Sequence, residues 1–124
     1  MGKEKETIFG HIGKAFIWSA AGLRSAWKHE LAFRLQSIVM AILLPFGMWL
    51  GRTAVERALL IISCGLVIIT ELLNSALEAV VDRIGPEQHP LSGRAKDLGS
   101  GAAFFSMTTA AIVWALIAFE RFFD

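Results

Sequence analysis

The sequence predicts an all-α integral membrane protein: three transmembrane helices preceded by an amphipathic surface helix. Three observations carry that expectation. The chain is 55% hydrophobic and only 19% charged, too apolar for a soluble domain of 124 residues to hide. Its uncharged residues gather in three windows separated by charged stretches. Nine of its twelve lysines and arginines fall on one side of those windows. At this length the chain forms a single membrane-embedded domain over residues 1–124, with no room for a separate catalytic module.

The elements follow in order. Over residues 7–33, Ile8, Ile12, Phe16, Leu23, Trp27 and Leu31 recur at three- and four-residue spacing or its multiples. His11, Lys14, Arg24, Lys28 and Glu30 lie between them, the pattern of a helix lying in the membrane interface. The first uncharged window runs between Arg34 and Arg52 and contains Pro45, which a membrane helix tolerates. The second, between Arg57 and Glu71, is too short to span alone, since a crossing takes about 20 residues. No Gly or Pro follows Glu71 until Gly85-Pro86, so this helix is expected to cross the bilayer and project beyond it. The third, between Asp97 and Glu120, is long enough by itself. Spans are therefore expected over residues 34–51, 55–83 and 92–121.

Charge sets the orientation. Lys3, Lys5, Lys14, Arg24, Lys28 and Arg34 precede the first span, and Arg83, Arg94 and Lys96 lie around the second loop. Only Arg52, Arg57 and Arg121 lie opposite. The N-terminus and second loop are thus expected in the cytoplasm and the C-terminus outside. A net charge of +1 and the absence of a basic, aromatic-interleaved patch argue against a nucleic-acid partner. The opening MGKEKETIFG reads neither as a cleaved signal nor as a myristoylation site. Cys64 is the only cysteine, inside an apolar run, so no intrachain disulfide forms.

The segment ELLNSALEAVVD follows thirteen uncharged residues and continues their apolar pattern. At about 100° per residue, Glu71, Asn74, Glu78 and Asp82 share one stripe roughly 80° wide. A solvated helix face accounts for Asp82. It is a poor account of Glu71, because ionisable groups at membrane depth are costly and mark function by default. Carboxylates at a lipid boundary hold a hard divalent ion such as Mg²⁺ or take up a proton. The second loop supplies the opposite sign: after Gly85-Pro86 and His89-Pro90 come Arg94, Lys96 and Asp97 at a helix start. Lysine at a helix N-terminus suits phosphate. No Walker A or dinucleotide fingerprint is present, so any nucleotide is bound by another arrangement. Small residues along the third window (Gly99, Gly101, Ala102, Ala103, Ser106) permit close helix contacts and point to a homo-oligomer.

The strings WKHELAFR and ELLNSALEAVVDRIGPEQHPLSGRAKD, with the three-span layout, resemble the small prokaryotic integral-membrane diacylglycerol kinases. The resemblance runs from about residue 14 onward, and the ExxNxxxExxxD stripe followed by HxLSGRAKD is specific. It implies ATP-dependent phosphorylation of the diacylglycerol primary hydroxyl, giving phosphatidate, by a homotrimer in the bacterial inner membrane. Glu71 would be the catalytic base, with Asn74 positioning the phosphates or the base. Glu30 and Glu78 would hold the Mg²⁺ of MgATP. The nucleotide set implied is His11, Trp18, Glu30, Glu78, Glu87, His89, Lys96 and Asp97. The lipid set is Arg24, Trp27, Ala32, Phe33, Arg34, Glu71, Ser100 and Trp114. Related kinases of Gram-positive bacteria prefer undecaprenol and share the stripe, but usually depart in the SGRAKDLGSG portion. This sequence is similar to the diacylglycerol branch. It departs in two places: His11 stands where relatives often have Arg, and RLQS at 34–37 replaces the usual RQE. The rival of another class is a small oligomeric transporter, which places its carboxylates near the midplane. Here the acids cluster at the cytoplasmic end.

Overall fold

Four helices make up the chain: α1 (Ile8–His29), α2 (Leu31–Leu50), α3 (Ala54–Ile84) and α4 (Pro90–Phe123). They come from a computed structural model that describes residues 7–124. Lys3 and Lys5, counted above for orientation, lie outside the described residues. The last three helices are long and apolar enough to cross a membrane.

Each helix end has a local cause. The Thr7 hydroxyl accepts the Gly10 N–H at 3.1 Å and starts α1. Lys28 and His29 in its last turn favour the negative end of the helix dipole. The chain then breaks at Glu30, whose φ of −113° and ψ of 103° are extended. Its N–H still closes α1 on the Ala26 carbonyl at 2.9 Å, and its carbonyl opens α2 by accepting the Arg34 N–H at 3.1 Å. Leu31, Ala32 and Phe33 are therefore the first turn of α2, not the end of the surface helix. Thr53 and Glu56 form a reciprocal capping box at the start of α3. Gly85, with φ of +154°, ends α3 in a conformation that a side chain disfavours. Pro90 sits in the first turn of α4, and the His89 ring accepts the Leu91 N–H at 3.1 Å.

Between lipid-facing helices apolar burial adds little, so close packing and hydrogen bonds hold the bundle. The main pairing is α3 on α4, with α2 against α3. The Thr70 and Ser106 hydroxyls meet at 2.7 Å. Nearer the other end, the Trp114 indole N–H donates to the Ser63 hydroxyl at 3.1 Å. Gly47 lets α2 approach there, since a Cβ at that position would sit 3.0 Å from the Trp114 ring. Leu50, Leu60 and Ile117 form the core beside it.

The end bearing Arg52, Arg57 and Arg121 is closed off by those same residues. Arg52 donates to the Arg121 carbonyl at 2.6 Å, and the Arg57 Nε–H to the Met48 and Gly51 carbonyls at 3.1 Å each. Arg121 lies 5.1 Å from the centre of the Trp49 ring. Elsewhere large apolar side chains point outward, among them Ile62, Phe105 and Leu116. α1 is exposed along most of its length and contributes Ala26 as its buried residue.

The Thr70–Ser106 contact predicts a measurable coupling. In a double-mutant cycle of Thr70→Val and Ser106→Ala, unfolding in mixed detergent micelles should give an interaction of about 0.6–1.7 kcal/mol. Strict additivity would mean that the two hydroxyls contribute nothing to each other.

Candidate active site

A helix of 31 residues is about 46 Å long at 1.5 Å per residue. The hydrocarbon layer is about 30 Å thick. If α3 enters that layer near Ala54, its last turns extend beyond it, and Glu71 falls close to the boundary. The exposure of the acid stripe is graded accordingly. Glu71 is buried, at 7% exposure, Asn74 and Glu78 are half-buried, and Asp82 is open.

The hydrogen-bond partner of Glu71 comes from α2. The Gln36 amide donates to a Glu71 carboxylate oxygen over a long 3.4 Å. One turn on, the Asn74 amide donates to Glu78, also at 3.4 Å. Both contacts leave something unused. The side-chain oxygens of Gln36 and Asn74 are buried without a hydrogen-bond partner. Asn74 is also pressed against α4, where a Cβ on Gly99 would collide with its side-chain oxygen. Glycine at 99 is thus what lets α4 pass so close.

Two hollows flank the projecting end of α3. One, of about 670 Å³, lies between α1 and α3, with Gly22, Ala26 and Glu30 on one side and Leu72, Ser75 and Ala79 on the other. Glu30, where the chain breaks between α1 and α2, lines this hollow. The second, of about 660 Å³, is formed by the α3–α4 loop and lined by Asp82, Glu87, His89, Ser92 and Lys96 among others. Lys96 is held there by Asp82 at 2.9 Å.

The sequence-derived residues therefore separate into groups. Glu71, Asn74 and Glu78 share the stripe; Glu87, His89 and Lys96 share the loop hollow; Glu30 lines the α1 hollow. Asp97, Ser100, Trp18, Arg24, Trp27 and Ala32 are exposed, Phe33 is buried and Arg34 is half-buried. His11 lies in the first turn of α1. His89 has a structural duty as the cap of α4. Trp114 stands apart from the stripe. Its partner Ser63 precedes Glu71 by eight residues on α3, about 12 Å along the axis. From the sequence Gln36 stands out only as a departure from the family's pattern and Gly99 only as a small residue of the third window, and the pairing of Asp82 with Lys96 is not foreseen. The signal for Gln36 was available, as a polar side chain in an otherwise apolar window.

Among the described residues no three His, Cys, Asp or Glu side chains converge as a metal cage. Mg²⁺ does not ask for one. It is bound by one or two carboxylates, with water and substrate phosphate completing the octahedron. Glu78, beside the unpartnered Asn74 oxygen, offers hard oxygen donors of that kind.

The sequence that builds this arrangement has known relatives. The model of the prokaryotic diacylglycerol kinase family matches residues 17–118. The chain belongs to that family. It is 47% identical to the diacylglycerol kinase of Escherichia coli K12 over 116 residues, 94% of this chain and 95% of that one. The Haemophilus influenzae diacylglycerol kinase is 48% identical over 115 residues, 93% of this chain and 98% of the relative. A more distant diacylglycerol kinase, from Helicobacter pylori J99, is 34% identical over 116 residues, covering 94% and 91% of the two chains. Family membership excludes the transporter reading. The acids at the end of α3 belong to a kinase.

The contact between Gly99 and Asn74 gives a test of the site. Gly99→Ala should displace Asn74 and lower kinase turnover by about 10²-fold, the scale of an ångström-sized misplacement. Gly65→Ala, where an added Cβ meets nothing within 4 Å, serves as the control and should leave turnover unchanged. Equal turnover in the two variants would show that the Asn74 position is not critical.

Proposed function

We propose that this protein transfers the γ-phosphoryl group of MgATP to the primary hydroxyl of diacylglycerol, giving phosphatidate and ADP. The observation that carries the reading is Glu71: a buried carboxylate on a helix that outruns the bilayer, in a chain of the diacylglycerol kinase family. A diacylglycerol places its hydroxyl at that depth, with the acyl chains in the hydrocarbon and the head at the interface. Phosphoryl transfer asks mainly for positioning, neutralised charge and an oriented nucleophile.

The residues divide those tasks. Glu71 accepts the hydroxyl proton as the lipid oxygen bonds to the γ-phosphorus and the bond to the ADP oxygen breaks. Asn74 orients the reacting groups through its free side-chain oxygen. Lys96 leaves Asp82 to meet the phosphates, with Glu87, His89 and Asp97 around the nucleotide and His11 and Trp18 reaching it from α1. Glu30 and Glu78 would hold Mg²⁺, which offsets phosphate charge when bound. Arg24, Trp27, Ala32, Phe33, Arg34 and Ser100 border the lipid head, and Trp114 the acyl region. In this reading α1 lies in the cytoplasmic interface. The N-terminus and α3–α4 loop face the cytoplasm, and the C-terminus faces the periplasm of the bacterial inner membrane.

The assembly is a homotrimer in which neighbouring chains complete each site. What supports this is the division of the charged groups: Glu30 lines one hollow and Lys96 another, on either side of the Glu71 stripe. The outward-facing apolar side chains leave ample surface for neighbouring copies.

The direct test supplies purified protein with MgATP and either diacylglycerol or undecaprenol, and identifies the phosphorylated lipid. Diacylglycerol should be the substrate, and Glu71→Gln should lower turnover by about 10²–10⁴-fold while the oligomer stays folded. Near-normal turnover in that variant would end the general-base assignment. Mixing tests the shared site. Co-assembled Glu71→Gln and Glu30→Gln subunits should regain activity that neither has alone. If both residues prove essential and no rescue occurs, Glu30 and Glu71 act within one chain.

A further inference from the structure

Gln36 has no structural reason to be polar. It is the sixth residue of α2, past the first turn, where helix N–H groups no longer need a side-chain cap. Its window, LQSIVMAILLPFGMWLG, is otherwise apolar apart from the neighbouring Ser37. A leucine or methionine there would fill the space between helices without asking for any hydrogen bond. Gln36 instead brings a carboxamide into contact with α3 and satisfies it poorly. Its one described bond, to Glu71, is long at 3.4 Å, and its oxygen is buried with no partner. A half-satisfied buried amide weakens a fold relative to an apolar side chain of the same shape.

The partner makes sense of the placement. Among the described residues, the Gln36–Glu71 contact is the one side chain-to-side chain hydrogen bond that joins α2 to α3. Glu71 needs such an anchor. Its carboxylate is buried on a stripe whose other members lie toward the open end of α3, and Asn74 is directed to Glu78 rather than to Glu71. Without a donor from α2, rotation about the glutamate side-chain torsions would let the carboxylate leave the one orientation that faces a lipid hydroxyl. A neutral amide can hold it without introducing a second charge beside it.

We propose that Gln36 is a positioning residue for the Glu71 carboxylate, kept polar for turnover and not for stability. The inference rests on the reading of Glu71 as the proton acceptor, and the experiment separates the two. Gln36→Met and Gln36→Leu are purified in the detergent used for the parent, and kcat, both KM values and the unfolding midpoint are measured. The expected result is a split. kcat falls about tenfold, KM for ATP stays unchanged, and the unfolding temperature stays equal or rises. A structural role would do the reverse, lowering the unfolding temperature together with the yield of active protein.

The same substitution is then placed in Glu71→Asp, whose shortened side chain withdraws the carboxylate from Gln36. There Gln36→Met should add little to the residual loss, because the contact it removes is already gone. Three results would overturn the proposal: unchanged kcat in both single variants, a loss of kcat matched by a loss of stability, or a tenfold loss repeated in full on Glu71→Asp. Normal turnover by Glu71→Gln would instead sink the base assignment. An inactive Glu71→Gln beside fully active Gln36 variants would leave that assignment standing and end this one.

Discussion

The length of α3 is the constraint on which the rest of the molecule depends. A 31-residue helix has about half as much length again as the hydrocarbon layer needs. Because no proline interrupts it and no glycine follows Glu71 before Gly85, the surplus is not bent away. It must emerge, and it emerges with acids on one stripe. α4 has 34 residues and so can stay packed on α3 across the boundary. Gly99 permits that contact at the level of Asn74. A shorter α3 would leave Glu71 and Glu78 on a loop, without the axial spacing that grades them from buried to half-buried.

The two ends of the bundle are built on opposite principles. At the end near Leu50 and Leu60, polar groups find partners. Arg52 and Arg57 serve backbone carbonyls, Arg121 lies over Trp49, and Trp114 is bonded to Ser63. Thr70 and Ser106 close the middle of the α3–α4 seam. Past Glu71 the pattern changes: carboxamides contact acids at long range and two buried oxygens remain without partners. Natural proteins depart from full satisfaction at functional sites and compensate elsewhere.

Much of this was legible in the sequence because the signals were periodic. Uncharged windows mark crossings, and the 3.6-residue repeat places Glu71, Asn74, Glu78 and Asp82 on one stripe without any tertiary information. The break at Glu30 was not visible, since neither Gly nor Pro marks it and the apolar run LAF continues the helical pattern. His89 is a similar case: its role in capping α4 depends on loop geometry that spacing does not encode. The contacts Gln36–Glu71 and Asp82–Lys96 join residues on different helices. Their pairing is set by how the helices pack, which composition and period leave open.

The same contacts differ in how readily they can be exchanged. The Lys96–Asp82 pair is exposed, with side-chain accessibilities of 45% and 69%, and ion pairs in water contribute little. Lys96 can therefore leave Asp82 at small loss, as the proposed reading of the loop hollow as the nucleotide site requires. Glu71 has no comparable freedom, being buried between helices with Gln36 as its described partner. A lipid hydroxyl is confined to the interface and diffuses in two dimensions, so the proton acceptor proposed here gains from being fixed in depth and direction. A nucleotide arrives from bulk water, and the groups that receive it gain from being able to adjust. Under the proposed reaction, the rigidity around Glu71 and the exchangeable contacts around Lys96 thus follow from the two phases in which the reactants are dissolved.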